Sequence, residues 1–84
     1  MMLGTRLIDD HCCWPHAIPN GAYGRIEGVW HAITPNGLFA NLGGHDVKEH
    51  DDATITVSPS ILVKGGSSDA TYHGFLEMGV WRDA

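Results

Sequence analysis

One segment, residues 53–63, limits the folds open to this chain more than any other feature of its sequence. Apolar and polar side chains alternate along it with a period of two, as in a β-strand that buries one face. The apolar face carries four aliphatic residues: Ile55, Val57, Ile61 and Val63. The other face is polar except for Leu62, and Pro59 falls on the apolar face in register with the aliphatic residues.

Pro59 raises the question of how such a strand is paired. Proline cannot donate a hydrogen bond to a neighbouring strand, so it marks an edge strand or a bend where the strand changes its partner. Because the alternation continues through Pro59, the sequence favours a bend within one continuous core-facing run. A strand that turns a corner and serves two sheets is a device for closing small barrels and orthogonal sandwiches.

Short strand-forming runs separated by turn residues make up most of the remaining chain. The 84 residues include 11 glycines, spread along the sequence as expected for many short turns. We therefore predict a single all-β domain over residues 1–84. Its architecture is predicted to be a small barrel or two-sheet sandwich of six to seven short strands, with at most one short helical turn.

Local patterns assign the elements that precede the long strand. Residues 2–9 predict a first strand, and residues 14–24, which hold two prolines, predict a loop. Residues 25–34 predict a strand that Gly28 weakens or bulges. Residues 43–52 interrupt the β pattern and are the one place where a helical turn is predicted.

Two hairpins are predicted from their turns. Pro-Asn-Gly at residues 35–37 joins two β runs, with glycine free to adopt a positive φ. Residues 71–82 predict a second hairpin with Gly79 in the positive-φ position. Alternation in its first strand separates two sets of side chains, Tyr72, Gly74 and Leu76 on one face and His73, Phe75 and Glu77 on the other.

Charge and hydropathy exclude some classes of protein. The formal net charge is −5, which argues against a nucleic-acid-binding protein because such proteins present a basic patch. No apolar run reaches 18 residues, and charged residues interrupt the N-terminal region where a signal peptide would lie. The prediction is a soluble protein made in the cytoplasm, with no nucleic-acid or membrane partner.

The C-terminal part of the chain resembles a known family. The strand TITVSPSILV, a polar loop and the hairpin YHGFLEMGVW share eight spaced positions with it: Pro59, Ser60, Ile61, His73, Gly74, Phe75, Gly79 and Trp81. The family consists of small uncharacterised proteins of bacteriophages and their bacterial hosts, a domain of unknown function, and the resemblance covers residues 53–82. Many members carry a cysteine shortly before the histidine, where this chain has Ala70, Thr71 and Tyr72. The resemblance implies a phage-encoded β protein in the infected bacterial cytoplasm or in the virion, and it implies no activity.

The segment HCCWPH is the one stretch that suggests a metal. It supplies four residues of the types that bind zinc: His11, Cys12, Cys13 and His16. The spacing is unfavourable, because adjacent cysteines on an extended backbone point to opposite sides. A second ligand pair would have to come from histidines elsewhere, such as His31, His45 or His73. We predict no metal or other cofactor and keep a structural zinc-binding module as the third hypothesis.

Catalytic patterns are weak. The serines and cysteines lack the Gly-x-Ser-x-Gly turn and the sequence context of known thiol enzymes, and a domain of this size has little room for a pocket beside its core. We therefore predict a protein that is not an enzyme. The loop KGGSSDA offers backbone N–H groups to a phosphate, so a ligand site is predicted at Lys64, Gly65, Gly66 and Ser67 as an alternative.

Aromatic residues favour binding to another protein. Three tryptophans in a small domain cannot all be buried, and exposed tryptophan or tyrosine marks an interface. The predicted contact is the terminal hairpin, through Tyr72, His73, Phe75 and Trp81. The leading hypothesis is a non-enzymatic phage-type protein that forms homo-oligomers or binds a phage or host protein, as a virion decoration or joining protein or as a host-directed early factor. The alternative is an anti-defence protein that sequesters a nucleotide-like ligand.

Overall fold

The computed structural model describes residues 1–11, 14, 18–64 and 70–84. These residues form ten strands and no helix: β1 (Met2–Leu3), β2 (Thr5–Arg6), β3 (Ala22–Ile26), β4 (Val29–Ile33), β5 (Phe39–Asn41), β6 (Asp46–Glu49), β7 (Ile55–Ser58), β8 (Ile61–Lys64), β9 (Thr71–Glu77) and β10 (Val80–Asp83). The predicted all-β class is confirmed. There are more strands than the six or seven predicted, because three predicted strands are each divided in two and the predicted helical turn is a strand.

The strands form three small sheets. The first has the order β1-β10-β9-β8 and is antiparallel throughout. The second has the order β2-β3-β4-β5, with β2 parallel to β3 and the other pairs antiparallel. The third contains only the antiparallel pair β6-β7.

The long strand at residues 53–63 divides at Pro59. On one side β7 pairs with β6, and on the other β8 pairs with β9. The predicted change of partner at Pro59 is therefore confirmed, and the Ser58–Pro59 peptide bond is cis. Pro59 itself is exposed. Its predicted position on the apolar face is wrong, because the chain leaves the strand at this residue before β8 resumes the alternation.

The first strand also changes partner, at Gly4. β1 pairs with β10, whereas β2 pairs with β3 in the second sheet. The Gly4 N–H donates to the carbonyl of Gly79 at 2.7 Å. A Cβ at Gly4 would lie 2.8 Å and 2.9 Å from the carbonyl oxygens of Gly21 and Gly79. Only glycine lets the chain cross between the two sheets at this point.

Three local predictions are wrong. Gly28 forms a two-residue hairpin turn with Glu27, both at positive φ, rather than a bulge. Residues 46–49 are strand β6 rather than a helical turn, because they pair with β7 and alternate one half-buried valine with exposed charged residues. Strand β3 begins at Ala22, inside the predicted loop, because its first three residues are buried against the core.

Both predicted hairpins are confirmed. The turn at residues 35–37 joins β4 to β5, with Gly37 at φ 90°. The turn between β9 and β10 consists of Met78 and Gly79, both at positive φ. Gly79 donates its N–H to the carbonyl of Ile55 at 3.0 Å, which attaches the third sheet to this turn.

The core lies between the sheets. Its buried cluster consists of Tyr23, Ala32, Ala40, Leu42, Ile55, Val57, Ile61, Tyr72, Leu76 and Trp81. Trp81 is only 1% exposed, and its indole N–H donates to the carbonyl of Gly21 at 2.8 Å. This hydrogen bond crosses from the first sheet to the segment that leads into β3, so the largest core side chain ties the two sheets together.

Candidate functional site

Alternation along β9 gives the first sheet one buried side and one exposed side. Tyr72, Gly74 and Leu76 are buried, as predicted for one face. His73 and Glu77 are exposed, and Phe75 is half-buried. The side that faces away from the core is called here the outer face, and the hairpin contributes to it His73, Phe75, Glu77, Val80 and Arg82.

Two residues of the predicted protein contact lie inside the molecule. Tyr72 is 6% exposed and Trp81 is 1% exposed, and their rings meet edge to face with centroids 5.6 Å apart. The two-residue turn pairs Trp81 with Leu76, which places Trp81 on the buried side of the sheet. The structure therefore corrects the predicted contact: Tyr72 and Trp81 stabilise the core and present no side chain to a partner.

The other two predicted residues lie on the outer face. Nε2 of the exposed His73 lies 3.0 Å from the Ser60 hydroxyl. Phe75 lies under the guanidinium of Arg82, whose Cζ is 4.9 Å from the ring centroid. Arg82 also forms an ion pair with Glu77. The predicted surface thus keeps His73 and Phe75 and gains a charged pair beside them.

Apolar residues from the neighbouring strands extend this surface. Leu62 on β8 is 56% exposed and Leu3 on β1 is 77% exposed. Leu62 pairs with His73 and Leu3 pairs with Val80, so both lie in rows with the hairpin residues. Together with Phe75 and Val80 they form an apolar band across the four strands of the sheet. The sequence indicated that Leu62 is exposed, because it is the one apolar residue on the polar side of its strand.

Charges of both signs border the apolar band. Arg82 and Glu77 lie in adjacent rows of the hairpin, and the exposed Lys64 follows Leu62 at the end of β8. Arg82 and Glu77 are paired with each other, and Lys64 lies on the neighbouring strand β8. The outer face therefore carries exposed apolar side chains with charged groups of both signs beside them.

A second cluster surrounds Trp30 on the second sheet. The guanidinium carbons of Arg6 and Arg25 lie 4.8 Å and 5.1 Å from the centroid of the Trp30 ring. Arg25 binds Asp9 through two nitrogens at 2.9 Å and 3.1 Å, and Arg6 binds Glu49 at 2.6 Å. Each arginine is therefore held by a carboxylate while it contacts the indole, which joins the segment after β2 to β3, β4 and β6.

The electrostatics of this cluster give a pH prediction. The hydrogen bond from Arg25, with the positive charge of that side chain and of Arg6, lowers the pKa of Asp9 below 3.8. A carboxylate with a lowered folded-state pKa stabilises the fold above its unfolded pKa and loses that contribution as pH falls through the folded value. We expect Asp9→Asn to lower the free energy of unfolding at neutral pH, and the difference from wild type to shrink in acid.

Urea unfolding of wild type and Asp9→Asn at several pH values measures this difference. The control is the same comparison in an Arg25→Gln background, where the main partner of Asp9 is absent and only Arg6, 3.6 Å away, remains. Most of the pH-dependent part of the difference should vanish there. A difference that is constant with pH, or unchanged by Arg25→Gln, would show that the Asp9–Arg25 pair contributes nothing.

The remaining predicted site residues lie mostly outside the described part of the chain. Lys64 is exposed at the end of β8, whereas Gly65, Gly66 and Ser67 are outside the described residues. The zinc hypothesis meets the same limit, because Cys12, Cys13 and His16 are not described either. Within the described ranges, no group of three or more His, Cys, Asp or Glu side chains is placed to hold a metal ion.

Comparison with known proteins identifies no relative: no protein-family model, curated protein or solved structure matches the chain. The resemblance of residues 53–82 to the phage family therefore stays a prediction. In the described ranges, no helix has the length and apolar character needed to cross a lipid bilayer.

Proposed function

We propose that this chain is a non-enzymatic binding protein that associates with a second copy of itself through the outer face. The observation that supports the proposal is the apolar band formed by Leu3, Leu62, Phe75 and Val80. Leu3 and Leu62 are 77% and 56% exposed, although their strands belong to the same sheet as the core residue Trp81.

The energetic reason is the hydrophobic effect. Burying apolar surface yields about 25 cal/mol for each Å² removed from water, and aromatic and aliphatic side chains at the centre of a patch supply most of the affinity of an interface. The neighbouring Arg82, Glu77 and Lys64 form the polar rim that such interfaces carry. A second copy of the chain carries the same apolar band and the same rim with charges of both signs, so it matches both features. This favours self-association over binding to a partner whose surface carries charge of one sign.

Sedimentation velocity at tens of micromolar tests the proposal. We expect the wild-type protein to sediment as a dimer, with twice the chain mass of 9.1 kDa. Leu62→Glu should yield a folded monomer. The new carboxylate stays in water in the monomer, whereas in the dimer it would be buried against apolar side chains, which is unfavourable. Far-UV circular dichroism and thermal unfolding confirm that the variant is folded.

Ile8→Glu is the matched control. Ile8 is 75% exposed and lies outside the first sheet, so the same change of charge should leave the dimer intact. A monomeric wild type at these concentrations, or a dimer that Leu62→Glu leaves unaltered, contradicts association through the outer face. The phage setting, as virion accessory or early factor, is part of the proposal only through the sequence resemblance.

A further inference from the structure

The tripeptide Pro-Asn-Gly occurs twice in the chain, at residues 19–21 and 35–37. Both glycines have positive φ, 87° at Gly21 and 90° at Gly37, and the N–H of each donates to a carbonyl at 2.8 Å. Both asparagine side chains are exposed. The two copies share their local sequence and the conformation of their glycine, so a difference in their chemistry must come from the surrounding fold.

An Asn-Gly sequence is able to modify itself in water. Hydroxide removes the proton of the glycine N–H, and the nitrogen attacks Cγ of the asparagine side chain. A C–N bond forms, the side-chain nitrogen leaves as ammonia with a proton from water, and a cyclic imide results. Water then opens the imide to aspartate or isoaspartate. Glycine favours the reaction because it has no Cβ to obstruct ring closure. The glycine nitrogen must first leave its hydrogen bond and turn towards the side chain.

The fold holds Gly21 in place. Its N–H donates to the carbonyl of Ile33, and its own carbonyl accepts from the Trp81 indole at 2.8 Å and from the Thr5 N–H at 3.3 Å. Gly21 is also buried. Turning its nitrogen towards Asn20 would break contacts that connect segments remote in sequence. Such an opening has a free energy close to that of global unfolding.

Gly37 is held only within its own turn. Its N–H donates to the carbonyl of Thr34, three residues earlier, and Gly37 is exposed. The nearest atom to a Cβ at this position would be Oδ1 of Asn20, at 3.5 Å. Opening of this one turn bond frees the Gly37 nitrogen without separating β4 from β5. Exposed turns open locally at a much lower free energy than buried strands.

The side chain of Asn36 has two hydrogen bonds. Its Oδ1 accepts from the Thr34 hydroxyl at 2.5 Å, which draws electron density from Cγ, the atom that the Gly37 nitrogen attacks. Its Nδ2 donates to the carbonyl of Thr71 at 3.2 Å. The nitrogen that would leave as ammonia is therefore the group that connects the β4–β5 turn to β9.

We propose that Asn36 is a site of spontaneous deamidation in the folded protein, whereas Asn20 is protected by the fold. The product has a carboxylate oxygen in place of Nδ2, so it has no N–H to donate to the Thr71 carbonyl and carries an additional negative charge. Deamidation thus converts the chain to a second form in which the β4–β5 turn is released from β9. This site does not depend on self-association, because the turn belongs to the second sheet.

Incubation in mildly alkaline buffer, followed by trypsin digestion and mass spectrometry, tests the proposal. Cleavage after arginine and lysine places Asn20 and Asn36 on separate peptides, residues 7–25 and 26–48. In the native protein we expect Asn36 to react at least about ten-fold faster than Asn20, because local opening exceeds global opening. In urea the two should react at similar rates. Asn36→Gln should abolish the early mass change of peptide 26–48, which excludes Asn41 as its source.

Asn36→Asp tests the structural consequence of the modification. The variant lacks the donor to Thr71, so we expect a lower Tm than that of the wild-type protein. Asn41→Asp is the matched control: it adds the same charge at an exposed site, where Oδ1 only accepts a hydrogen bond from the Gly43 N–H and a carboxylate can replace it. Equal native rates at Asn20 and Asn36, or the same rate ratio in urea as in the native protein, would overturn the proposal. So would equal Tm values for Asn36→Asp and Asn41→Asp.

Discussion

Gly74→Ala should destabilise the protein by about 3 kcal/mol, the upper end of the usual cost of overpacking a core. The new methyl group would lie 2.3 Å from the Tyr72 oxygen and 2.6 Å from the carbonyl oxygen of Arg82. The tyrosine is held by Trp81, and the carbonyl belongs to the paired strand β10, so neither can move away cheaply. Since native domains have stabilities of about 5–15 kcal/mol, a loss of this size is a large part of the total free energy of unfolding.

Urea unfolding of Gly74→Ala beside Gly44→Ala measures this effect. Gly44 is the matched control, because a Cβ there would meet nothing within 4 Å. We expect Gly44→Ala to change the free energy of unfolding by less than about 1 kcal/mol, which is the range for backbone-entropy effects at permissive sites. Equal midpoints for the two variants would show that the Tyr72 ring does not lie over Gly74.

Trp81→Ala should have an effect of similar size, about 3–5 kcal/mol, as found for large aromatic residues removed from cores. The indole is 1% exposed and contacts Tyr72 edge to face. Its loss leaves a cavity between the sheets and deprives the carbonyl of Gly21 of its donor. Thermal unfolding followed by far-UV circular dichroism measures the change.

Trp81→Phe and Trp30→Ala divide this effect into its parts. Phenylalanine keeps most of the apolar volume but loses the N–H donor, so an intermediate loss of about 1–3 kcal/mol is expected. Trp30 is half-buried between two arginines, and its removal should destabilise by less than Trp81→Ala. If Trp81→Ala proved no more harmful than Trp30→Ala, the position of Trp81 at the centre of the core would be wrong.

The sequence predicted those features that local patterns determine. Alternation and turn chemistry were sufficient for the β class, for the hairpins at Gly37 and Gly79, and for the change of partner at Pro59, because each depends on a few adjacent residues. The buried and exposed sides of β9 followed in the same way. The exposure of Leu62 could be predicted as well, because Leu62 is the one apolar residue on the polar face of its strand.

Features that depend on distant contacts were missed. Strand β6 has one valine among charged residues, so its pattern carries little hydrophobic signal until β7 is known to pair with it. The crossing at Gly4 depends on the carbonyls of Gly21 and Gly79, which are remote in sequence. Trp81 is a different case: a two-residue turn at Met78 and Gly79 fixes its pairing with Leu76, so the register of the hairpin already placed it on the buried side.

A cleft of about 460 Å³ between Asn36 and Asp83 could not be predicted from the sequence either. Its lining joins the β4–β5 turn to the beginning of β9 and the end of β10, and the Asn36–Thr71 hydrogen bond that connects them spans two sheets. Nothing in the local sequence of Asn36 or Asp83 indicates that the two face the same space. Side-chain chemistry alone gave a ligand hypothesis elsewhere, at Lys64 and the loop that follows it.

The pairing of β1 with β10 has a consequence for how the chain reaches its fold. Met2 pairs with Trp81, so β1 has its sheet partner in a strand far along the chain. Until β10 is in place, β1 has no neighbour in its own sheet and the Trp81 indole does not donate to the Gly21 carbonyl. Contacts so distant in sequence give a high contact order, which slows folding relative to proteins with local contacts. Closure of the first sheet is therefore expected to be a late and slow step in the folding of this chain.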